Sequence, residues 1–317
     1  TMDKRTRDAH RSVFRQTRRL DWPFNVMGEE LDYPADPKGS PANIIQCRCT
    51  QSYRKRQGST GRPTQQSPAR EPAREPEDDY TGSIDRAKNK DELQQIMTRM
   101  GFKSADLKGV SLEDGKKLAK ATDWSRKNIG KIDGDVDFKI AKSTKVFGDF
   151  EFKGQRWPNL PPDKNIGQVR TLRFSTRGRK TDDVWSGLED DNRRSVRVNW
   201  TYEGRTPQSN VPHELVHYYV SKLHDKRLGI SGMTSKNKFR QKISTWNNER
   251  YARELVDEAL KKIGKDRAYL ETVHKELGRY SRKNAHEILS VAIQYEYDNP
   301  ARFDFATAML QTIKERL

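Results

Sequence analysis

Two histidines and a glutamate in the stretch NVPHELVHYYV, residues 210–220, have the types and the spacing for metal chemistry. His213 and His217 are four residues apart, which on a helix places both imidazoles on one face, where they can bind one ion. Glu214 can take a proton from a water molecule and pass it to a leaving amine. Pro212 fits the start of such a helix, because its missing N–H costs little there. The pattern predicts a zinc site with a general base, and the alternative is a chance pairing of histidines on an amphipathic helix.

A catalytic zinc ion usually has three protein ligands and one open position, so the motif needs a third ligand. In metzincins that ligand lies six residues beyond the motif. This chain has Leu223 there, with His224 and Asp225 one and two places out of register. The metzincin pattern therefore fails, and a glutamate on a later helix is the remaining option.

The stretch YSRKNAHEILSVAIQYE, residues 280–296, is the best place to look for that glutamate. Glu287 lies at the border of its apolar arc, where a carboxylate can face a buried ion. Spacing alone leaves Glu296, His286 and His274 open as alternatives. The core face of this predicted helix comprises Ala285, Ile288, Leu289, Ala292 and Ile293.

The elements that must position these groups change character along the chain. Period-two alternation predicts strands in DFKIAKSTKVFGDFEFKG, QVRTLRFSTRG and SVRVNWTYEG, between residues 136 and 203. The last of these strands is expected to give a sheet edge beside the metal site, along which an extended substrate can pair. The predicted inward-facing residues are Val169, Leu172, Phe174, Val196, Val198 and Trp200.

Helices are predicted on both sides of these strands. Upstream, NKDELQQIMTRMGF places Leu93, Ile96, Met97 and Met100 on one face and ends at Gly101. A second helix, SLEDGKKLAKATDW, has Ser111 as its cap and Asp114 three residues on. Downstream, helices are predicted at roughly 209–225, 238–262, 266–279, 284–298 and 301–316. Strands followed by helices predict an α+β fold.

The run Tyr280-x-x-x-Asn284-x-x-Glu287 after the His-Glu-x-x-His helix resembles the anthrax lethal-factor-like zinc metallopeptidases, over about residues 190–300. The resemblance implies a zincin-like domain with His213, His217 and Glu287 as zinc ligands. It also implies that Tyr280 stabilises the tetrahedral intermediate, where a hydrogen-bond donor lowers the barrier. The family often has a second acidic residue four places after the glutamate ligand. Val291 stands there in this chain, so the supporting hydrogen bond to a ligand histidine is missing or comes from elsewhere.

The first residues, 1–54, carry a second resemblance. RDAHRSVF, PF and YPADPKGSPANIIQCRC are similar to the C-terminal end of the Mu-type phage head-morphogenesis domain, a portal-associated minor head protein. The abrupt polar start fits a processed or truncated product. Gln46 replaces the usual asparagine before Cys47, and Cys47 and Cys49 are too close for an unstrained disulfide. Two thiols alone do not complete a zinc site, so these are interpreted as reduced thiols, with a metal as the alternative.

The net charge and the distribution of apolar residues indicate which kinds of binding partner to expect. The net charge is +17, which favours contact with polyanions, and non-specific contact with packaged DNA is one hypothesis. A solubilising surface is the alternative, and no RNP, zinc-finger or helix-turn-helix pattern predicts base-specific binding. No run of about 18 apolar residues is present, so no membrane span is expected.

These observations predict four segments. Residues 1–54 are the end of a minor head protein domain, and 55–83 are a flexible linker rich in proline, arginine and glutamate. Residues 84–130 are a helical connector, and 131–317 are a zincin-like domain with a mixed sheet, an active-site helix and C-terminal helices. The predicted function is a virion-associated zinc metalloendopeptidase that cleaves a polypeptide, either in head maturation or in the host cytoplasm after injection. The alternative is a non-catalytic structural protein bound to portal or capsid.

Overall fold

The computed structural model describes residues 24–26, 29–31, 36, 38, 40, 79–141, 148–158, 160–175 and 184–317. The chain divides into two units, residues 1–71 and 72–317. In the first unit, strands β1 (Phe24–Val26) and β2 (Glu29–Leu31) form an antiparallel pair. The predictions for Cys47, Cys49 and residues 55–78 lie outside the described residues.

The second unit is α+β, as predicted, with a mixed sheet of four strands. These are β3 (Ser104–Asp106), β4 (Val136–Ala141), β5 (Gly148–Arg156) and β6 (Ile166–Ser175), in the order β3-β4-β6-β5. The strand pairs β3–β4 and β4–β6 are parallel, whereas β5 pairs antiparallel with β6. Strand β5 is therefore an edge strand, with one side of its backbone free of any strand in the described sheet.

Ten α-helices lie in the described part of this unit. They are α1 (Thr81–Arg86), α2 (Lys90–Arg99), α3 (Leu112–Asn128), α4 (Val184–Arg197), α5 (Asn210–Leu228), α6 (Lys236–Asn247), α7 (Arg250–Lys262), α8 (Leu270–Leu277), α9 (Ala285–Asp298) and α10 (Asp304–Arg316). Short 3₁₀ turns at Pro207–Ser209 and Arg279–Arg282 precede α5 and α9. Within the described residues, no helix is both long and apolar enough to span a membrane.

The helices predicted upstream of the sheet are confirmed. Helix α2 buries Leu93, Ile96 and Met97 and ends before Gly101, whose φ of 111° is a conformation that glycine adopts freely. The Ser111 side chain accepts a hydrogen bond from the Asp114 backbone at the start of α3.

Residues 84–130, predicted as a connector, also supply β3 to the sheet and share one hydrophobic core with the C-terminal helices. Helix α1 begins at Thr81, inside the segment predicted as linker.

The third predicted strand is wrong. The stretch SVRVNWTYEG contains the last turn of α4 and a loop, and Val198 and Trp200 are exposed. The buried residues of α4 recur at helical spacing. Two of them, Asn192 and Ser195, are polar, so the sequence does not show the apolar periodicity of a helix there.

The prediction for β6 is confirmed for Leu172 and Phe174, which are fully buried, and wrong for Val169, which is exposed. The buried alternate position is instead Arg170, whose charge is paired.

Helix α5 is the central helix of the unit. It is buried along nearly its whole length, polar residues included, which is typical of a helix enclosed by other elements. It packs against α9, α3, α6 and the edge strand β5. Gly229, in the left-handed conformation, ends it.

A half-buried carboxylate links α9 to the chain that leads into α5. Asp298, in the last turn of α9, accepts hydrogen bonds from the hydroxyls of Tyr202 and Thr206, at 2.7 and 2.6 Å, and from the Thr206 backbone at 3.1 Å. The Gln294 amide donates to the Ser209 hydroxyl at 3.1 Å. These bonds hold the turn that leads into α5 against α9.

A buried ion cluster fixes the other half of α5 to the sheet. Asp225 of α5 pairs with Arg170 of β6 and with Lys242 of α6, the latter at 2.7 Å. The Lys242 ammonium group is fully buried and also donates to Gln168 and Ser221, at 2.7 and 2.8 Å. Every donor of this lysine therefore has an acceptor, as a buried charge requires.

Candidate metal centre

The motif residues occupy the first two turns of α5. His213 and Glu214 each expose 6% of their surface, and the His217 side chain exposes 12%. The rings of His213 and His217 lie on the same side of the helix, with centroids 5.3 Å apart. The helical spacing predicted from the sequence is therefore present.

Glu287 lies in the first turn of α9 because of a local capping interaction. The Asn284 side chain is the helix cap and accepts a hydrogen bond from the Glu287 backbone N–H at 3.0 Å. A carboxylate in this position also interacts favourably with the positive end of the helix dipole. The sequence Asn-x-x-Glu thus builds the helix start and places the carboxylate.

The three predicted ligands converge. The Oε2 atom of Glu287 is 3.2 Å from Nε2 of His213 and 3.8 Å from Nε2 of His217. One ligand atom from each residue lies within 4.8 Å of the other two, which makes the three a group able to hold a metal ion. It is the one such group of three or more among the described residues.

The polar atoms of this group fit a cation. Glu287 Oε2 is buried and has no hydrogen-bond donor of acceptable geometry in the described part of the chain. Burial disfavours its charged form, but the two neighbouring imidazoles more than offset this and hold the pKa of Glu287 well below its usual range. A buried, unpartnered carboxylate oxygen beside two imidazoles is a donor set that suits zinc.

The supporting contacts of the two histidines differ. The buried hydroxyl of Ser290 lies 3.2 Å from Nε2 and 3.4 Å from Nδ1 of His217. His213 Nδ1 is buried and has no partner among the described residues, and Val291 is a buried apolar side chain. An acidic partner for a ligand histidine is therefore not found in the described part of the chain.

Glu214 is held against the first residue of the edge strand. A Cβ atom at Gly148 would lie 3.1 Å from Glu214 Oε1, so the absence of a side chain there makes room for the carboxylate. Burial raises the pKa of Glu214, although the two histidines act in the opposite direction. A carboxyl group with a raised pKa is a stronger base, which suits proton transfer near neutral pH.

Tyr280 lies in the 3₁₀ turn that precedes α9. Its ring centroid is 6.1 Å from that of His213. Burial first, and then the carboxylates of Glu287 and Glu214, raise the pKa of Tyr280. The hydroxyl therefore keeps its proton at neutral pH and remains a hydrogen-bond donor.

The alternative ligands left open by spacing are engaged elsewhere. Glu296 accepts hydrogen bonds from the Ala301 backbone and the Thr307 hydroxyl, at 3.0 and 2.9 Å. His286 stacks on Trp246, with ring centroids 4.1 Å apart. His274 contacts the Ser281 hydroxyl at 2.8 Å.

The sequence prediction missed two features of the site. Ser290 lies three residues after Glu287, where a serine in an apolar helix carries no signal of its own. The sheet edge beside Glu214 comes from β5 and not from SVRVNWTYEG, and Gly148 at the start of β5 is the residue that could have indicated the close approach.

Comparison of the chain with protein-family models, with curated proteins and with solved structures gives no match in any of the three.

Proposed function

We propose that this chain is a zinc-dependent metalloendopeptidase and that its C-terminal unit is a zincin-like domain. The observation that carries the proposal is the convergence of His213, His217 and Glu287, with the Glu214 carboxylate beside them. Two imidazoles and one carboxylate leave a position open in a tetrahedral site, as catalytic zinc requires. Bound zinc would supply Lewis acidity that activates a water molecule for attack on a carbonyl.

Two side chains would carry the proton and charge chemistry. The Glu214 carboxylate accepts a proton from the attacking water and delivers it to the departing amine nitrogen. The Tyr280 hydroxyl, protonated at neutral pH, donates a hydrogen bond to the developing oxyanion of the substrate. Both groups are largely buried, which strengthens their electrostatic interactions with the reacting atoms.

The edge strand supports a polypeptide as the substrate. The free backbone side of β5 begins at Gly148, beside Glu214, and an extended peptide can add to it as a further strand. Main-chain hydrogen bonds of this kind recognise any peptide backbone, so side-chain selection must come from neighbouring residues.

Zinc analysis together with Glu214→Gln tests the proposal. The wild-type chain is expected to bind one zinc ion and to cleave peptides. In Glu214→Gln, kcat is expected to fall by about 10²- to 10⁴-fold while zinc content and fold persist. Glu203→Gln, a change of the same kind at an exposed glutamate, is the control and keeps full activity. Cleavage unchanged in Glu214→Gln would refute the proposed role.

The proposed setting is a phage particle, on the basis of the resemblance in residues 1–54 to a minor head protein. Most of these residues lie outside the described part of the chain. A structural head protein with an inactive C-terminal unit is the competing proposal. It is favoured by the His213 Nδ1 atom, which has no acidic partner among the described residues. It predicts zinc-loaded protein that cleaves no peptide. The proposed contact with packaged DNA, which follows from the charge of +17, predicts duplex binding that weakens steeply with salt.

A further inference from the structure

Two large apolar residues are exposed in a loop that contacts the turn of Tyr280. Trp200 exposes 43% of its surface and Val198 exposes 45%, and both lie in the loop that follows α4. Single exposed apolar side chains are common on proteins. These two, however, are held in a fixed place beside a residue of the site.

Backbone hydrogen bonds attach this loop to the turn that carries Tyr280. The Tyr280 N–H donates to the Trp200 carbonyl at 2.8 Å, and the Arg279 N–H donates to the Asn199 carbonyl at 3.1 Å. The Arg279 guanidinium also donates to the Val198 carbonyl at 2.6 Å. The loop therefore cannot shift without moving Tyr280.

A close backbone contact reinforces this attachment. Gly278 has a φ of +87° and lies so near Thr201 that a Cβ atom would come within 2.6 Å of the Thr201 Cα. Only glycine fits this position, both for its conformation and for the space. The turn and the loop are therefore in direct backbone contact at Gly278 and Thr201, next to the hydrogen bonds between them.

The indole of Trp200 lies against the ring of Tyr280. Its ring centroid is 5.6 Å from that of Tyr280, which in turn is 6.1 Å from that of His213. The indole is thus no more than roughly 12 Å from a proposed zinc ligand, a span of about three to four residues of extended peptide. A side chain near the cleaved bond can reach it.

We infer that Trp200 forms a substrate subsite that selects a large apolar side chain, aromatic above all, within about three residues of the cleaved bond. This inference rests on the proposed peptidase function. The exposed indole gives a rigid apolar surface with few rotamers to lose, and aromatic side chains pack on it in offset or edge-to-face geometry.

Matched peptides test the subsite on the full-length, zinc-loaded chain. Once a cleaved peptide is found, Phe and Ala are placed in turn at each position near the cleaved bond. Wild type is expected to prefer Phe over Ala about tenfold at one position. Trp200→Ala is expected to reduce that preference to about twofold, mainly through a higher KM for the Phe peptide.

Two variants and one binding measurement separate specificity from general damage. Trp200→Phe is expected to retain the preference, since it keeps an aromatic surface. Trp157→Ala, which removes an indole 48% exposed at the far end of β5, also retains it. Zinc affinity is expected to be equal in all four proteins.

The outcomes are distinct. A Phe preference that survives in Trp200→Ala, or that falls equally in Trp157→Ala, overturns the subsite and leaves the peptidase proposal intact. The absence of any Phe preference in wild type does the same. A zinc-loaded wild type that cleaves no peptide overturns the peptidase proposal, and the subsite with it.

Discussion

The Oε2 atom of Glu287 lies 3.2 Å from Nε2 of His213, across the interface between α9 and α5. If this pair shares a zinc ion, Glu287→Gln should weaken zinc binding by at least about 100-fold, measured by competition with a zinc indicator. Glu296→Gln, on the same helix, should leave zinc affinity unchanged. It should lower the free energy of unfolding by about 1–2 kcal/mol, because Glu296 accepts two structural hydrogen bonds. Equal zinc affinity in wild type and Glu287→Gln would remove Glu287 as a ligand.

Tyr280→Phe should act on the chemical step alone. Removal of the hydroxyl takes away the proposed donor to the oxyanion, so kcat should fall by about 10²- to 10³-fold. KM and zinc affinity should remain close to those of wild type, because the ring and its contacts with His213 and Trp200 persist. Tyr269→Phe, in another 3₁₀ turn, serves as the control. A kcat within twofold of wild type would exclude Tyr280 from the reaction.

Gly148→Ala should displace the general base without touching the ligands. The added methyl group would lie 3.1 Å from Glu214 Oε1 and 3.3 Å from the Phe174 ring, and the carboxylate is the more mobile neighbour. We expect kcat to fall about tenfold or more, since small displacements of a catalytic group are costly. Zinc content should not change.

Gly82→Ala is the matched control for that substitution. Its methyl group would meet only the guanidinium end of Arg86, at 3.2 Å. The variant should be as active as wild type. If Gly148→Ala is equally active, the close contact with Glu214 has no catalytic importance.

The buried Lys242 should give the protein a distinctive stability profile in alkali. Burial first, partly offset by Asp225, lowers the pKa of Lys242 from 10.5 to about 8. Between these values the unfolded chain binds a proton that the folded chain lacks, so the free energy of unfolding rises with pH. The rise from this group is up to about 3 kcal/mol between pH 8 and 10.5.

Urea unfolding of wild type and Lys242→Met across this pH range checks that prediction. The stability difference between the two proteins should change in favour of wild type as the pH rises. The variant should also be less stable at pH 7, because Asp225 and Gln168 lose a buried hydrogen-bond donor. A difference that is constant with pH would show that Lys242 stays charged.

Local sequence signals predicted much of this structure. Ser111 was predicted to cap α3, and its side chain does accept a hydrogen bond from the Asp114 backbone there. Apolar periodicity identified α2 and α9. The same periodicity placed Glu287 at the border of a core face, beside the ion that His213 and His217 would hold. Interactions between residues close in sequence are enough to predict a helix when a capping residue or a periodic apolar face defines it.

The secondary-structure predictions are wrong where contacts with distant parts of the chain determine the local conformation. In SVRVNWTYEG, the alternation of Val196, Val198 and Trp200 suggested a strand. The first three residues instead end α4, which buries the polar Asn192 and Ser195, and Trp200 is exposed in the loop that follows. The segment 238–262 was predicted as one helix, and a left-handed residue, Glu249, divides it in two. No glycine or proline lies at the break between α6 and α7, so the sequence does not predict that the helix ends there.

The hydrogen bonds that Asp298 accepts from Tyr202 and Thr206 have a consequence for the metal-free protein. They link the two helices that carry the proposed ligands through contacts outside the candidate metal centre, so we expect this link to persist when no ion is bound. If zinc binds as proposed, a chelator would abolish peptide cleavage without unfolding the protein, and added zinc would restore cleavage.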